Sequence, residues 1–308
     1  MPLKHLGFIE LPEHVGEGGF DHAAVDRGRG VIYVAHTAND AVDVIDGHTN
    51  RYLRSISGLK GVAGALVDET SRLGFTSNRG ENTVGIFPLE REGAVEKVPV
   101  GVRPNGLAYD PGRGVLLAAN VGDPSVPGST TCTLIDVRRK SPIAEVAMPG
   151  RTRWAVFDPE QELFFINIAD PFRIVVVNPG RPDAGARHFE VPARGPHGLD
   201  LDVARGRLYC ACDEGRLMAL DSRSGEVIGS LELSGTPDVV FLNPVRSHLY
   251  VAIGDPGVID VVDVAAWKRI AVVATERGAH TIAFDESAQR VYAFLPRTHR
   301  AQVLECLG

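Results

Sequence analysis

Seven positions at near-constant spacing hold most of the chain's candidate chemistry: Asp21, Ala63, Asn105, Arg153, His197, Asp238 and His280. All but Ala63 are polar or charged, whereas the positions that follow them are largely apolar. Gathered into one concavity, two carboxylates, an amide, a guanidinium and two imidazoles could form a ligand or metal cage. The oxygen donors suit Ca²⁺ or Mg²⁺, and the imidazoles of His197 and His280 suit Zn²⁺, Mn²⁺ or another transition metal. The same side chains could equally satisfy loop amides and hold water, an ordinary use of Asp, Asn and His near turns. His22 and Trp154 follow Asp21 and Arg153 directly, and Trp154 could stack on a ligand or plug a channel. His36, Asn78 and Asn120 recur at one further equivalent position. They join the site if their side chains turn towards the same mouth.

Each of the first seven positions stands five residues before an Asp or Asn: Asp26, Asp68, Asp110, Asp158, Asp202, Asn243 and Asp285. The intervals between these anchors are 42, 42, 48, 44, 41 and 42 residues. A period of about 40 residues is that of a ring or stack of small β-sheets. Around each anchor, short apolar runs are bounded by Gly, Pro, Asp and Asn, which is strand-and-turn punctuation. The clearest unit predicts strands at 199–202, 207–211, 216–221 and 226–231, the content of one propeller blade. The expectation is an all-β, seven-bladed β-propeller of four-stranded antiparallel blades, a single domain over 1–308 with blades starting near 20, 62, 104, 152, 196, 237 and 279. The last unit has only three strands of its own. Residues 4–11 are expected to supply its outer strand, because a closed ring removes two exposed sheet edges.

Composition sets limits on partners. With 308 residues, 44% of them hydrophobic, the chain can bury a large core, and a formal net charge of −7 without a Lys/Arg-rich run argues against a nucleic-acid or anionic membrane surface. A small-molecule ligand or a protein partner stays open. No run approaches a membrane span, and the N-terminus lacks a secretory pattern, so a cytoplasmic location is expected. The four cysteines do not form a paired framework and read as buried, reduced thiols. Gly16-Glu17-Gly18-Gly19-Phe20 has no helix behind it and so is not a phosphate loop.

Tyr33-Val34-Ala35-His36 through Val42-Asp43-Val44-Ile45-Asp46, and Leu249-Tyr250-Val251-Ala252 through Ile259-Asp260-Val261-Val262-Asp263, resemble the YVTN-type propeller repeat. That likeness implies architecture and leaves activity open. A narrower likeness rests on Arg103-Pro104-Asn105-Gly106-Leu107-Ala108, which resembles a phrase of the gluconolactonase and senescence-marker propellers whose Asn is a metal ligand. Thr236-Pro237-Asp238-Val239 looks like a weaker form of that family's Pro-Asp-Gly phrase, and Pro196-His197-Gly198 has the same frame. The family has six blades, and its first-blade Glu ligand has Asp21 or nothing in its place here.

The resemblance implies a metal-dependent lactonase-like hydrolase. A divalent cation held by Asp21, Asn105 and Asp238, with His197 or His280, would polarise a lactone or ester carbonyl and activate water. Asp238 or His197 would act as general base, and Arg153 would bind an anionic group or stabilise the oxyanion. Two alternatives stand beside it: a metal-dependent lyase, and a non-catalytic propeller that binds a small molecule, peptide or protein. The insertion between Asn120 and Thr131, which lengthens the third unit, is either a lid over the mouth or a solvated excursion.

Overall fold

The computed structural model describes residues 1–90, 94–182 and 187–307. Seven four-stranded antiparallel sheets are arranged as blades around a channel. Their innermost strands are Phe20–Asp26, Val62–Asp68, Pro104–Asp110, Thr152–Asp158, Pro196–Asp202, Pro237–Asn243 and Thr281–Asp285. Each packs against the next, and the seventh returns to the first, so the ring is closed. The closure is the expected one: Leu3–Glu10 forms the outer strand of the last blade, antiparallel to Arg300–Cys306, with Ile9 opposite Ala301.

The anchor residues explain why the repeat is visible. Each inner strand ends in a tight turn whose amides need acceptors, and in the second to seventh blades the anchor side chain supplies one. Asp110 accepts from the Arg113 amide at 3.1 Å, Asp202 from that of Arg205 at 3.0 Å, and Asp285 from that of Ala288 at 3.0 Å. The Asp that closes several third strands does the same one turn later: Asp46, Asp136, Asp221 and Asp263 each accept amides two and three residues on. The Val-x-Val-Ile-Asp phrase is therefore a strand with its turn cap attached.

Burial follows strand order within a blade. The second and third strands are covered on both faces by neighbouring blades, and Leu116–Ala119, Leu208–Cys212 and Leu249–Ile253 are continuous apolar runs. The outer strands alternate, as in Ser141–Ala147 and Lys268–Ala274, because only one face is covered. Buried apolar residues form a separate cluster at each of the seven blade-to-blade interfaces, including that between the last blade and the first. All four cysteines are buried and unpaired; Sγ of Cys210 and Cys212 lie 3.8 Å apart, and burial pushes the Cys132 thiol up to about 12. Among the described residues no helix is long and apolar enough to cross a membrane.

Candidate functional site

Pairing between the inner and second strands slips once at the entry to each of the first six blades. The slips lie between Phe20 and Ala23, Val62 and Gly64, Pro104 and Leu107, Thr152 and Ala155, Pro196 and Gly198, and Pro237 and Val240. Each interval contains the residue five before the anchor. A bulge re-aims the side chain it carries, so these residues form a polar set at one mouth of the channel. Glycine is required beside them because neighbouring inner strands touch here. A Cβ on Gly106 would lie 2.4 Å from the Arg153 carbonyl oxygen, one on Gly198 2.1 Å from that of Asp238, and one on Gly64 2.6 Å from that of Asn105. The Pro-polar-Gly phrase thus answers a packing demand of the ring.

His197 is the centre of the mouth. Its Nδ1 is 2.7 Å from Asp213 Oδ1 and its Nε2 is 3.2 Å from Asp238 Oδ1. Burial works against a charge on this ring, but the Asp238 charge and hydrogen bonds to Asp213 and Asp238 outweigh it and raise the imidazole to about 9. Doubly protonated at neutral pH, His197 donates to both carboxylates. The Arg153 Nη1, 3.2 Å from Nε2, is then a close cation and not a hydrogen-bond donor to that ring. Arg153 also reaches Asp213 through Nη2 at 3.4 Å. Burial would raise the Asp238 carboxyl, yet the His197 charge and hydrogen bond hold it far below the carboxylate range. His280 stands further off, its Nε2 4.0 Å from Asp238 Oδ2 and its Nδ1 on the Gly278 carbonyl at 2.8 Å.

Asp21 and Asn105 converge on a cation that the chain itself supplies. Arg79 Nη2 donates to Asn105 Oδ1 at 2.6 Å and lies 3.2 Å from Asp21 Oδ2. More guanidiniums crowd the same rim: burial and the charges of Arg153, Arg103 and Arg79 pull Arg151 below the usual arginine value. A chain of net charge −7 thus concentrates positive charge at this mouth.

Arg79 and Asp213 are absent from the sequence-derived set, yet both belong to the mouth. They lie eleven residues past their anchors, one beyond His36, Asn78 and Asn120. One step along a strand turns a side chain to the other face. His36, Asn78 and Asn120 end their second strands fully buried and outside the channel. His36 Nδ1 is 2.7 Å from Asp43 Oδ2 and its ring packs on His14 and Phe20. Asn78 bonds Thr76 and Thr83, and Asn120 bonds Thr131 and Thr133. None of the three joins the mouth residues. His22 and Trp154 stand at the channel's neck, ring centroids 4.0 Å apart, lining the near end of a cavity that opens the other way. Burial lowers the His22 pKa, leaving that ring neutral at neutral pH.

Three of the donors expected to hold a metal are engaged by the protein. Asp21 and Asn105 hold Arg79, and His197 carries protons on both nitrogens, so its ring has no lone pair to offer. Among the described residues no three His, Cys, Asp or Glu side chains are disposed to hold a metal ion. In this arrangement Asp21, Asn105 and His197 are engaged by groups of the protein, whereas His280 Nε2 has only Asp238 Oδ2, 4.0 Å away.

The chain is a seven-bladed β-propeller by its own topology, and a comparison of folds agrees. A solved chain titled Kuenenia stuttgartiensis Hydrazine Synthase superposes with a TM-score of 0.82 over 95% of this chain and 97% of that one, at 12% identity. A likeness at that identity concerns the fold alone. No family model matches the sequence, and no curated protein does. The YVTN-type and gluconolactonase-type phrases therefore stand as local likenesses on a propeller frame.

Proposed function

We propose that this propeller binds a small organic anion, a carboxylate or phosphate ester, at its polar mouth and does not turn it over. The observation that supports this reading is the pair of like charges 3.2 Å apart, the Arg153 guanidinium and the protonated His197 ring, with Arg79, Arg103 and Arg151 within electrostatic reach. An anion beside them gains charge-assisted hydrogen bonds from Arg153, whose Nε is buried without a partner, while His197, with both N–H groups held by carboxylates, adds its charge alone.

Binding is favoured over catalysis because general acid–base work calls for a pKa near the working pH. His197 is displaced to about 9 and Asp238 far down, so neither is poised to exchange a proton at neutrality. His22 is neutral, but it packs against Trp154 at the neck. The lactonase-like mechanism needs both a metal and a base, and the mouth as arranged favours neither.

Calorimetric titration with citrate, a sugar acid and a sugar phosphate tests the proposal. At least one is expected to bind the wild type, and Arg153→Ala to weaken it. Near-stoichiometric divalent metal in the purified protein, lost in Asp238→Ala and accompanied by lactone hydrolysis, would overturn this reading.

A further inference from the structure

The other half of the channel holds a cavity of about 560 Å³ running from His22 and Trp154 to the turns that follow the anchors. That volume falls in the range of small-molecule sites. Its walls are largely apolar, with the rings of Tyr109, Trp154, Phe157, Phe241 and Phe284 around it. These rings are held in place by neighbours: Phe157 packs on Phe164 at 5.0 Å between centroids, Phe284 on Tyr250 at 5.5 Å and Tyr109 on Phe75 at 5.0 Å.

The charges on the lining are one-sided. Asp68, Glu69, Asp200 and Glu286 face one cation, Arg27. Arg27 is already engaged, donating to Glu69 at 3.1 Å and to Glu286 at 2.9 Å. Asp200 accepts only backbone amides, from Leu201 at 2.8 Å and Leu242 at 2.7 Å, and among the described residues no Lys or Arg is paired with it. Each of its oxygens keeps a lone pair for a further donor. Burial raises its carboxyl to about 6 against the pull of those two amides, the mark of a carboxylate that lacks a cation.

We infer that this cavity is a second ligand site, distinct from the anion-binding mouth, for a small organic cation with an apolar or aromatic body. The ammonium group meets Asp200, and the body lies among the rings, whose faces attract a cation as well as apolar surface. The neck formed by His22 and Trp154 keeps the two sites apart.

Calorimetry at neutral pH with phenethylammonium, and with hydrocinnamate as the anion of similar shape, decides the matter. The wild type is expected to bind the amine and not the acid. Asp200→Asn is expected to weaken the amine about tenfold, the loss of one charge-assisted bond. Ala24→Trp, which fills the cavity from its wall, is expected to abolish binding, and Lys268→Ala on an outer strand to leave it unchanged. Failure of the amine to bind, equal binding of the acid, or full affinity in folded Ala24→Trp would each overturn the inference. Far-UV circular dichroism establishes that the variants are folded.

Discussion

The two ends of the channel are built from the same inner strands and carry opposite charge. At the strand entries, guanidiniums and a charged imidazole crowd a rim whose carboxylates are already paired. At the strand exits, four acidic side chains face Arg27 around an apolar chamber. The difference comes from local geometry. Entries are bulged and lean on the next strand, so side chains there splay into the mouth. Beyond the bulge the strands regain regular pairing and present Ala, Val, Leu and aromatic residues to the chamber. In five of the seven blades the polar residue of the mouth lies where pairing slips.

The sharpest way to break that arrangement is at a glycine between the ends. Gly198→Ala drives a methyl to within 2.1 Å of the Asp238 carbonyl oxygen, a backbone atom that cannot rotate away. Overpacking of this kind costs about 3 kcal/mol. Urea unfolding should show that loss, and ligand binding at both ends should weaken, since the strand entry moves as a whole.

That glycine also shows what sequence could and could not reveal. Anchors were legible because an Asp or Asn accepts turn amides in six of the seven blades, and this demand recurs with the period. The positions five before them were legible as a polar ring because, in the first six blades, a bulge holds that residue at the strand entry. Arg79 and Asp213 were not, because choosing between them and their buried neighbours Asn78 and Cys212 needs the parity of the second strand, which the buried polar residues disguise. Pro-polar-Gly resembles a ligand phrase for a reason of packing: Gly106 and Gly198 make room for the next strand.

At the mouth, Asp238→Ala removes one of two carboxylates around a charged ring. Losing a partner from such a pair costs 3–5 kcal/mol when fully buried; with 22% of the Asp238 side chain exposed, about 2 kcal/mol is expected. A carboxyl with a depressed folded pKa contributes its stability above the ordinary carboxylate range and loses it as pH falls. Thermal unfolding of the two proteins should therefore differ most near neutrality and converge on acidification. A constant gap would mean that packing, and not charge, is lost.

Arg153→Ala tests the same mouth and keeps both carboxylates of the His197 ring. Anion affinity should fall about tenfold, one charge-assisted contact, while Arg153→Lys should keep part of it. In the wild type, affinity should hold through neutrality and decline as pH rises through about 9, where His197 gives up its second proton. His197→Asn should flatten that decline. A profile that breaks near the ordinary histidine value would remove the charged ring from the account.

The smallest expected effect lies at the opposite end and has the opposite sign. Asp200 has its carboxyl raised by burial to about 6, so the folded state holds this proton more tightly than the unfolded chain does. Its contribution to stability is fully present below the unfolded carboxylate value and is lost as pH rises through about 6. Asp200→Asn removes that dependence, although it loses one of the two amide contacts to Leu201 and Leu242. Between acid and neutral pH the variant should gain on the wild type by about 1 kcal/mol, a value kept small because the carboxylate borders an open cavity. Comparing this swing with that of Asp238→Ala by thermal unfolding over one pH series sets the ends side by side. Removing an acid should favour folding relative to the wild type at the exit end as pH rises, and oppose it at the entry end. Swings of the same sign would show that the two acids sit in like surroundings, and the contrast between the mouths would fail.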